Sequence, residues 1–197
     1  PLAYFLAFKS KKTKPFIETI VTLPLVLPPT VIGFYLIIFF SPETALGKIF
    51  IMLTGEQLIF SFYGLVLASI IYSLPFWVQP LQASFEKIGR DTIWTSHSLG
   101  AGLLDTFFNV IIPLSKKGFF TSFIISFAHT LGEFGIVLMV GGGIHGKTKV
   151  IAISIYDHVE QLSFDKAHIL AGGMLILSFI ILLTLFYFNK RTVVRVK

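Results

Sequence analysis

Residues 19–40 read Thr-Ile-Val-Thr-Leu-Pro-Leu-Val-Leu-Pro-Pro-Thr-Val-Ile-Gly-Phe-Tyr-Leu-Ile-Ile-Phe-Phe, with no charged side chain from Thr19 to Phe40. A helix that crosses a bilayer needs about 20 mostly apolar residues, and this stretch is long enough. Pro24, Pro28 and Pro29 each remove a backbone donor and obstruct the preceding turn. Bare carbonyls cannot be left facing lipid, so the segment is expected to be an interrupted span, shielded by neighbours or lining a wet cavity. The prolines fit a structural kink. They equally fit a pathway lined by Pro28, Pro29 and Thr30, because interrupted helices mark transport sites in several folds.

The rest of the chain repeats that character. Gln57 to Phe85 and Ile169 to Phe188 are free of charge, and Gly118 to Gly143 holds a single acid, Glu133. Pro1 to Phe8 is apolar but too short to span, and it lacks the basic front and small-residue cleavage site of a signal peptide. It reads as the tail of a helix that begins upstream. The expected fold is all-α, a polytopic transmembrane helix bundle of about five spans with the first truncated, forming one domain over 1–197. Composition agrees: of 197 residues, 54% are hydrophobic and only 13% charged, against about 25% charged in a soluble domain. Intrinsic disorder is excluded, and an ordinary soluble enzyme core would lack the polar residues to clothe it. With no cysteine, disulfide and thiol chemistry are excluded as well.

The net charge of +6 is explained by where the charges sit. Lys9, Lys11, Lys12 and Lys14 crowd the first loop. The second, Ser41 to Glu56, sets Glu43 and Glu56 against Lys48. The third, residues 86–117, carries Lys87, Arg90, Lys116 and Lys117. The fourth, Ile144 to His168, mixes Lys147, Lys149 and Lys166 with Asp157, Glu160 and Asp165, and the tail ends in Lys190, Arg191, Arg195 and Lys197. Cytoplasmic loops collect Lys and Arg, so loops one and three and the tail are expected inside, loops two and four outside. A nucleic-acid footprint would interleave basic residues with aromatics on one face, and none occurs.

Glu133 belongs to His129-Thr-Leu-Gly-Glu-Phe-Gly135. An ionisable group within a span is a functional candidate by default. His129, one helical turn earlier, is placed to pair with it, and Gly132 and Gly135 permit close helix approach. A packing role and a pathway role for His129, Glu133 and Gly135 both fit. A His and a Glu alone make no metal site. An intramembrane enzyme built on this pair would need Ser126 or Thr130 as nucleophile.

Gly141-Gly-Gly-Ile-His-Gly-Lys147-Thr148 matches the phosphate-binding pattern G-x-x-x-x-G-K-[ST]. That motif requires a strand before it and a helix after it. Here an apolar span of helical length precedes it, and the charge map puts it outside. A glycine-rich turn is the expected structure, followed by an apolar run from Val150 to Ile155 too short to span.

The third loop is the most informative. Leu99, Leu103, Leu104, Phe107, Phe108 and Ile111 recur at helical spacing, Gly100 and Gly102 interrupt them, and Pro113 closes the loop. A short amphipathic helix with an apolar ridge suits a partner's groove or a headgroup surface. Gly100, followed after nine residues by Val110-Ile-Ile-Pro113, resembles the cytoplasmic loop of binding-protein-dependent ABC importer permeases. The family's Glu-Ala-Ala is replaced here by Trp94-Thr95-Ser96. Leu23 to Gly33, Tyr72-Ser-Leu-Pro75 with Val78-Gln-Pro-Leu-Gln82, Thr130 to Gly135, and Gly142 to Thr148 leading to Ser154-Ile-Tyr-Asp-His-Val-Glu160 are similar to the molybdate permeases within that family. His145 stands where those usually have proline, and His129 where arginine is common.

The resemblance implies a type I importer permease in the cell inner membrane, carrying molybdate and also tungstate by alternating access, with sulfate or thiosulfate as the competing cargo. It implies a homodimer of two permease copies, an ABC ATPase dimer on the cytoplasmic face, an external binding protein, and surrounding lipid. ATP and Mg would sit in the ATPase, leaving this chain without a cofactor, metal or catalytic residue. The coupling residues implied within 86–117 are Ser98, Leu99, Gly100, Ala101, Leu103, Leu104, Asp105, Phe107 and Phe108. With no Lys or Arg inside the spans, an oxyanion would be met by neutral donors and helix N-termini.

Overall fold

The computed structural model describes residues 1–9 and 12–189; Lys11 and the basic tail residues Lys190, Arg191, Arg195 and Lys197 lie outside them. Among the described residues there is no strand. The helices are α1 (Leu2–Tyr4), α2 (Lys14–Val26), α3 (Pro29–Phe40), α4 (Ala45–Thr54), α5 (Phe62–Ser98), α6 (Leu103–Asp105), α7 (Ile112–Leu114), α8 (Lys116–Leu131), α9 (Gly135–Gly141), α10 (Ile151–Glu160) and α11 (Phe164–Asn189). Single π-helical turns over Phe5–Lys9 and Thr106–Ile111 follow α1 and α6.

Among the described residues two helices are individually long and apolar enough to cross a membrane, Phe62–Ser98 and Phe164–Tyr187, and two bent pairs bring the count to four if each pair is one span. Those pairs are α2 with α3, bent by 113°, and Leu103–Leu114 with α8, bent by 69°. The first bend falls where the prolines predict it. Pro24 is held inside α2, while Pro28 takes extended backbone as the N-cap of α3 and Pro29 occupies its first turn, where a missing N–H costs nothing.

One feature adds to the sequence expectation and one departs from it. The second loop contains α4, whose Thr44 side chain accepts from the Gly47 amide at 3.0 Å and whose C-cap, Gly55, is left-handed at φ 75°. These are ordinary helix start and stop signals, legible at Thr44 and Gly55 but masked by the acids around them. The stretch Gly118 to Gly143 is not one helix. It stops at Leu131 and resumes at Gly135 as α9, so Glu133 sits in a break.

By packing, the chain divides into two compact units. Unit one comprises residues 1–23, 74–127 and 182–197; unit two comprises 24–73 and 128–181. The core of unit one gathers Ala3, Leu6, Val21, Val78, Phe85, Ile93 and Ile111. That of unit two gathers Ile32, Leu36, Phe40, Leu58, Ala68, Ile136 and Val140, largely the facing sides of α3 and α9. Elsewhere the apolar surface is turned outward: Leu175, Phe179 and Leu183 on α11 are all exposed, as expected where lipid is the solvent.

Candidate functional site

In unit one, α5 kinks at Gly89, where the backbone leaves the helical region (φ 75°, ψ 158°), and its second arm runs to Ser98; the chain then reverses through Gly100, whose φ of 88° only glycine adopts without strain. Ala101 donates its amide to Ser96 O at 3.1 Å, and Gly102 caps α6. Underneath, Ser96 Oγ and Thr106 Oγ1 meet at 2.7 Å in a buried pair. Phe107 turns inward, edge-on to Tyr4 at 5.5 Å. Ser98 bonds the Trp94 carbonyl, and Asp105 accepts from Asn109. What remains is a ridge: Leu99, Leu103, Leu104 and Phe108 are 83, 62, 74 and 58% exposed. The loop is thus anchored by a hydroxyl pair and one aromatic while presenting four large apolar side chains. Pro113 leads to Ser115, whose hydroxyl bonds the Ile111 carbonyl in the bend before α8.

In unit two, both interrupted segments meet. A Cβ added to Gly135 would lie 2.7 Å from Pro29 Cβ, and one on Gly33 would lie 2.8 Å from Met139 Cβ. Only glycine lets α3 and α9 approach this closely, and the Pro28–Thr30 break is thereby held beside the Glu133–Gly135 break. Pro28, Pro29 and Thr30 are exposed, while Glu133 is buried, 6% exposed. His129 stacks on Tyr72 with ring centroids 5.0 Å apart, and Thr130 meets Ser73 hydroxyl to hydroxyl at 2.7 Å. Neither carboxyl oxygen of Glu133 has a hydrogen-bond partner, so the hydrogen bond to His129 suggested by helical spacing is not made: α8 ends before Glu133 reaches the His129 face. Phe134 packs on Tyr156 of α10. The Tyr156 hydroxyl in turn donates to Glu160, whose carboxylate holds that phenol above its ordinary range.

The phosphate-motif match resolves as a turn. Helix α9 precedes it, and Gly142, Gly143 and Gly146 all have positive φ. The amides of Lys147, Thr148 and Lys149 all donate to Ile144 O. Thr148 Oγ1 accepts from Ile144 N and donates to Gly141 O. The Lys147 and Thr148 amides and the Thr148 hydroxyl, donors that a phosphate would need, are thereby spent on the turn itself. The apolar run after it is helical, as α10, with Lys149 paired to Asp157. Among the described residues no group of three or more His, Cys, Asp or Glu is placed to hold a metal.

Comparison with known proteins places this geometry. Residues 1–192 match the family described as binding-protein-dependent transport system inner membrane component. The molybdenum transport system permease protein ModB of Azotobacter vinelandii is 50% identical over 94% of this chain and 82% of its own length. ModB of Haemophilus influenzae is 32% identical over 96% of this chain and 83% of its own. A probable sulfate transport system permease protein, cysT of Chlorella vulgaris, is 32% identical over 86% of this chain and 64% of its own. Among solved structures, a bacterial ABC transporter involved in import of the acidic polysaccharide alginate aligns with a TM-score of 0.69 over 98% of this chain and 71% of its own, at 17% identity. That likeness speaks for the fold alone: an ABC importer permease.

Proposed function

Since the chain belongs to the inner membrane components of binding-protein-dependent transport systems, and is therefore a permease subunit and not an enzyme, we propose that it carries molybdate, with tungstate as a second cargo. The observation that supports this most is the 50% identity to a molybdenum permease across 94% of the chain. Sulfate is the runner-up: the sulfate permease of Chlorella vulgaris is as similar, at 32%, as the more distant molybdenum permease.

The chain works as one transmembrane domain, paired with a second copy. Its 86–117 loop lies on the cytoplasmic face, and the ridge of Leu99, Leu103, Leu104 and Phe108 seats in a groove of an ABC ATPase subunit. Gly100 supplies the reversal that presents the ridge, and Ser98, Ala101, Asp105 and Phe107 shape its base. ATP and Mg reside in the ATPase. An external binding protein delivers the oxyanion, and the spans exchange access from one side to the other. Pro28, Pro29 and Thr30 open the start of α3, where an exposed hydroxyl and the positive end of a helix favour an anion without a fixed cation. Glu133 and Gly135 form the opposing break, with His129 stacked behind it.

Reconstitution with the ATPase and the binding protein tests the reading. ATP hydrolysis stimulated by molybdate-loaded but not by sulfate-loaded binding protein is expected. The opposite preference would transfer the assignment to sulfate.

A further inference from the structure

We infer that Glu133 and the end of α8 form a binding site for one positive charge, filled by a proton or a sodium ion. Glu133 is 6% exposed and both its oxygens are without a hydrogen-bond partner. An ionised carboxylate left so is among the costliest arrangements a protein can hold. No Lys or Arg of unit two answers that charge. No Lys or Arg lies within 19–40, 57–85, 118–143 or 169–188, so a second copy of the same sequence offers none from its spans either. Within unit two, Lys48, Lys147 and Lys166 are exposed, and Lys149 is engaged by Asp157.

The surroundings favour a cation. Helix α8 ends two residues before Glu133, and a helix C-terminus carries partial negative charge. Broken helices use such ends, with their unwound carbonyls, to hold Na⁺ or H⁺. On α5, one turn before the Ser73 that meets Thr130, Ser69 keeps a buried hydroxyl without a hydrogen-bond partner. Of the titratable groups on the surrounding elements, Tyr72 on α5 and His129 on α8 lie ring against ring, Tyr156 on α10 packs on Phe134, and His158 on α10 has a buried Nδ1. Helix α9 has no titratable residue, and that of α3, Tyr35, is exposed. The site has a consequence for the proposed cargo, since a bare carboxylate beside the α3 break would repel an oxyanion and a neutralised one would not. The site itself rests on this chain alone, whatever it carries.

Thermal unfolding of the assembled transporter, without cargo, tests it. Ligand binding to the native state raises the midpoint by mass action. If the charge is sodium, replacing choline by Na⁺ at pH 8.5 raises the midpoint of the wild type by about 3 °C and leaves Glu133→Gln unmoved. If it is a proton, Na⁺ has no effect; the midpoint falls between pH 6 and pH 8.5, since the folded state then holds the extra proton, and Glu133→Gln is flat. Infrared spectra of wild type with ¹³C-labelled Glu read the same point without any variant, by a buried protonated carboxyl band. Equal Na⁺ and pH responses in wild type and Glu133→Gln overturn the site. So does a response lost in His129→Gln and kept in Glu133→Gln, or a wild type with neither Na⁺ dependence nor the carboxyl band. Any of these leaves the molybdate reading standing, because hydrolysis stimulated by loaded binding protein is measured separately.

Discussion

The loop from Leu99 to Phe108 and the facing breaks at Pro28–Thr30 and Glu133–Gly135 are built on opposite plans. The loop shows apolar side chains to the outside and hides its polar anchors, Ser96 and Thr106, beneath them. The breaks hide an acid and pack glycine against proline. Exposed apolar surface on a polar-flanked loop is unfinished until a partner covers it, whereas buried polar groups are unfinished until a charge or hydrogen bond reaches them. The first region therefore leaves apolar surface for a partner to cover, and the second leaves a buried acid for a charge to answer.

Substitutions can break this contrast. The largest effect is expected from Gly135→Val, which drives a branched side chain into Pro29. Overpacking of this kind costs about 1–3 kcal/mol, and a drop of several degrees in the unfolding midpoint, with lost transport, would show it. An unchanged midpoint would mean that α3 and α9 are free to separate. Next, Leu104→Glu on the ridge should reduce binding-protein-stimulated ATP hydrolysis about tenfold, some 1.4 kcal/mol, with no shift in melting. A matching loss of stability would assign the ridge to the fold. Ser73→Ala removes the hydroxyl pair with Thr130 and should cost about 1 kcal/mol, read by denaturant unfolding. The smallest effect belongs to the misleading motif: Lys147→Ala should leave nucleotide binding and hydrolysis as they are. A loss of hydrolysis there would reopen the phosphate reading.

The sequence made some of this legible and not the rest, for physical reasons. Charge-free runs name spans because bilayer solvation is strict about charge, and prolines name a bend because they lack a donor. So the α2–α3 break and the apolar ridge are both legible in the sequence. The break after Leu131 was not. Glycine at positions 132 and 135 is tolerated inside membrane helices, and the contact of Gly135 with Pro29, far away in the chain, exists only once the chain is folded. For the same reason the His129–Glu133 hydrogen bond, correct for a continuous helix, fails once the helix ends. Helix α4 carries its own start and stop signals, Thr44 and Gly55, inside a loop otherwise marked by its acids. The phosphate motif erred the other way: its letters are right, but a helix precedes it and Ile144 O consumes its amides.

The bend between α2 and α3 bears on how the chain is made. A ribosome feeding this protein into a bilayer delivers Thr19 to Phe40 as one uncharged stretch, long enough to enter as a single straight rod. The glycine notch that clasps Pro29 belongs to Gly135, which is synthesised much later. The segment must then pass through a period in which prolines alone favour the angle and nothing holds it. In a nascent chain stalled before α9, the distance across the α2–α3 corner should therefore vary more widely than in the finished protein.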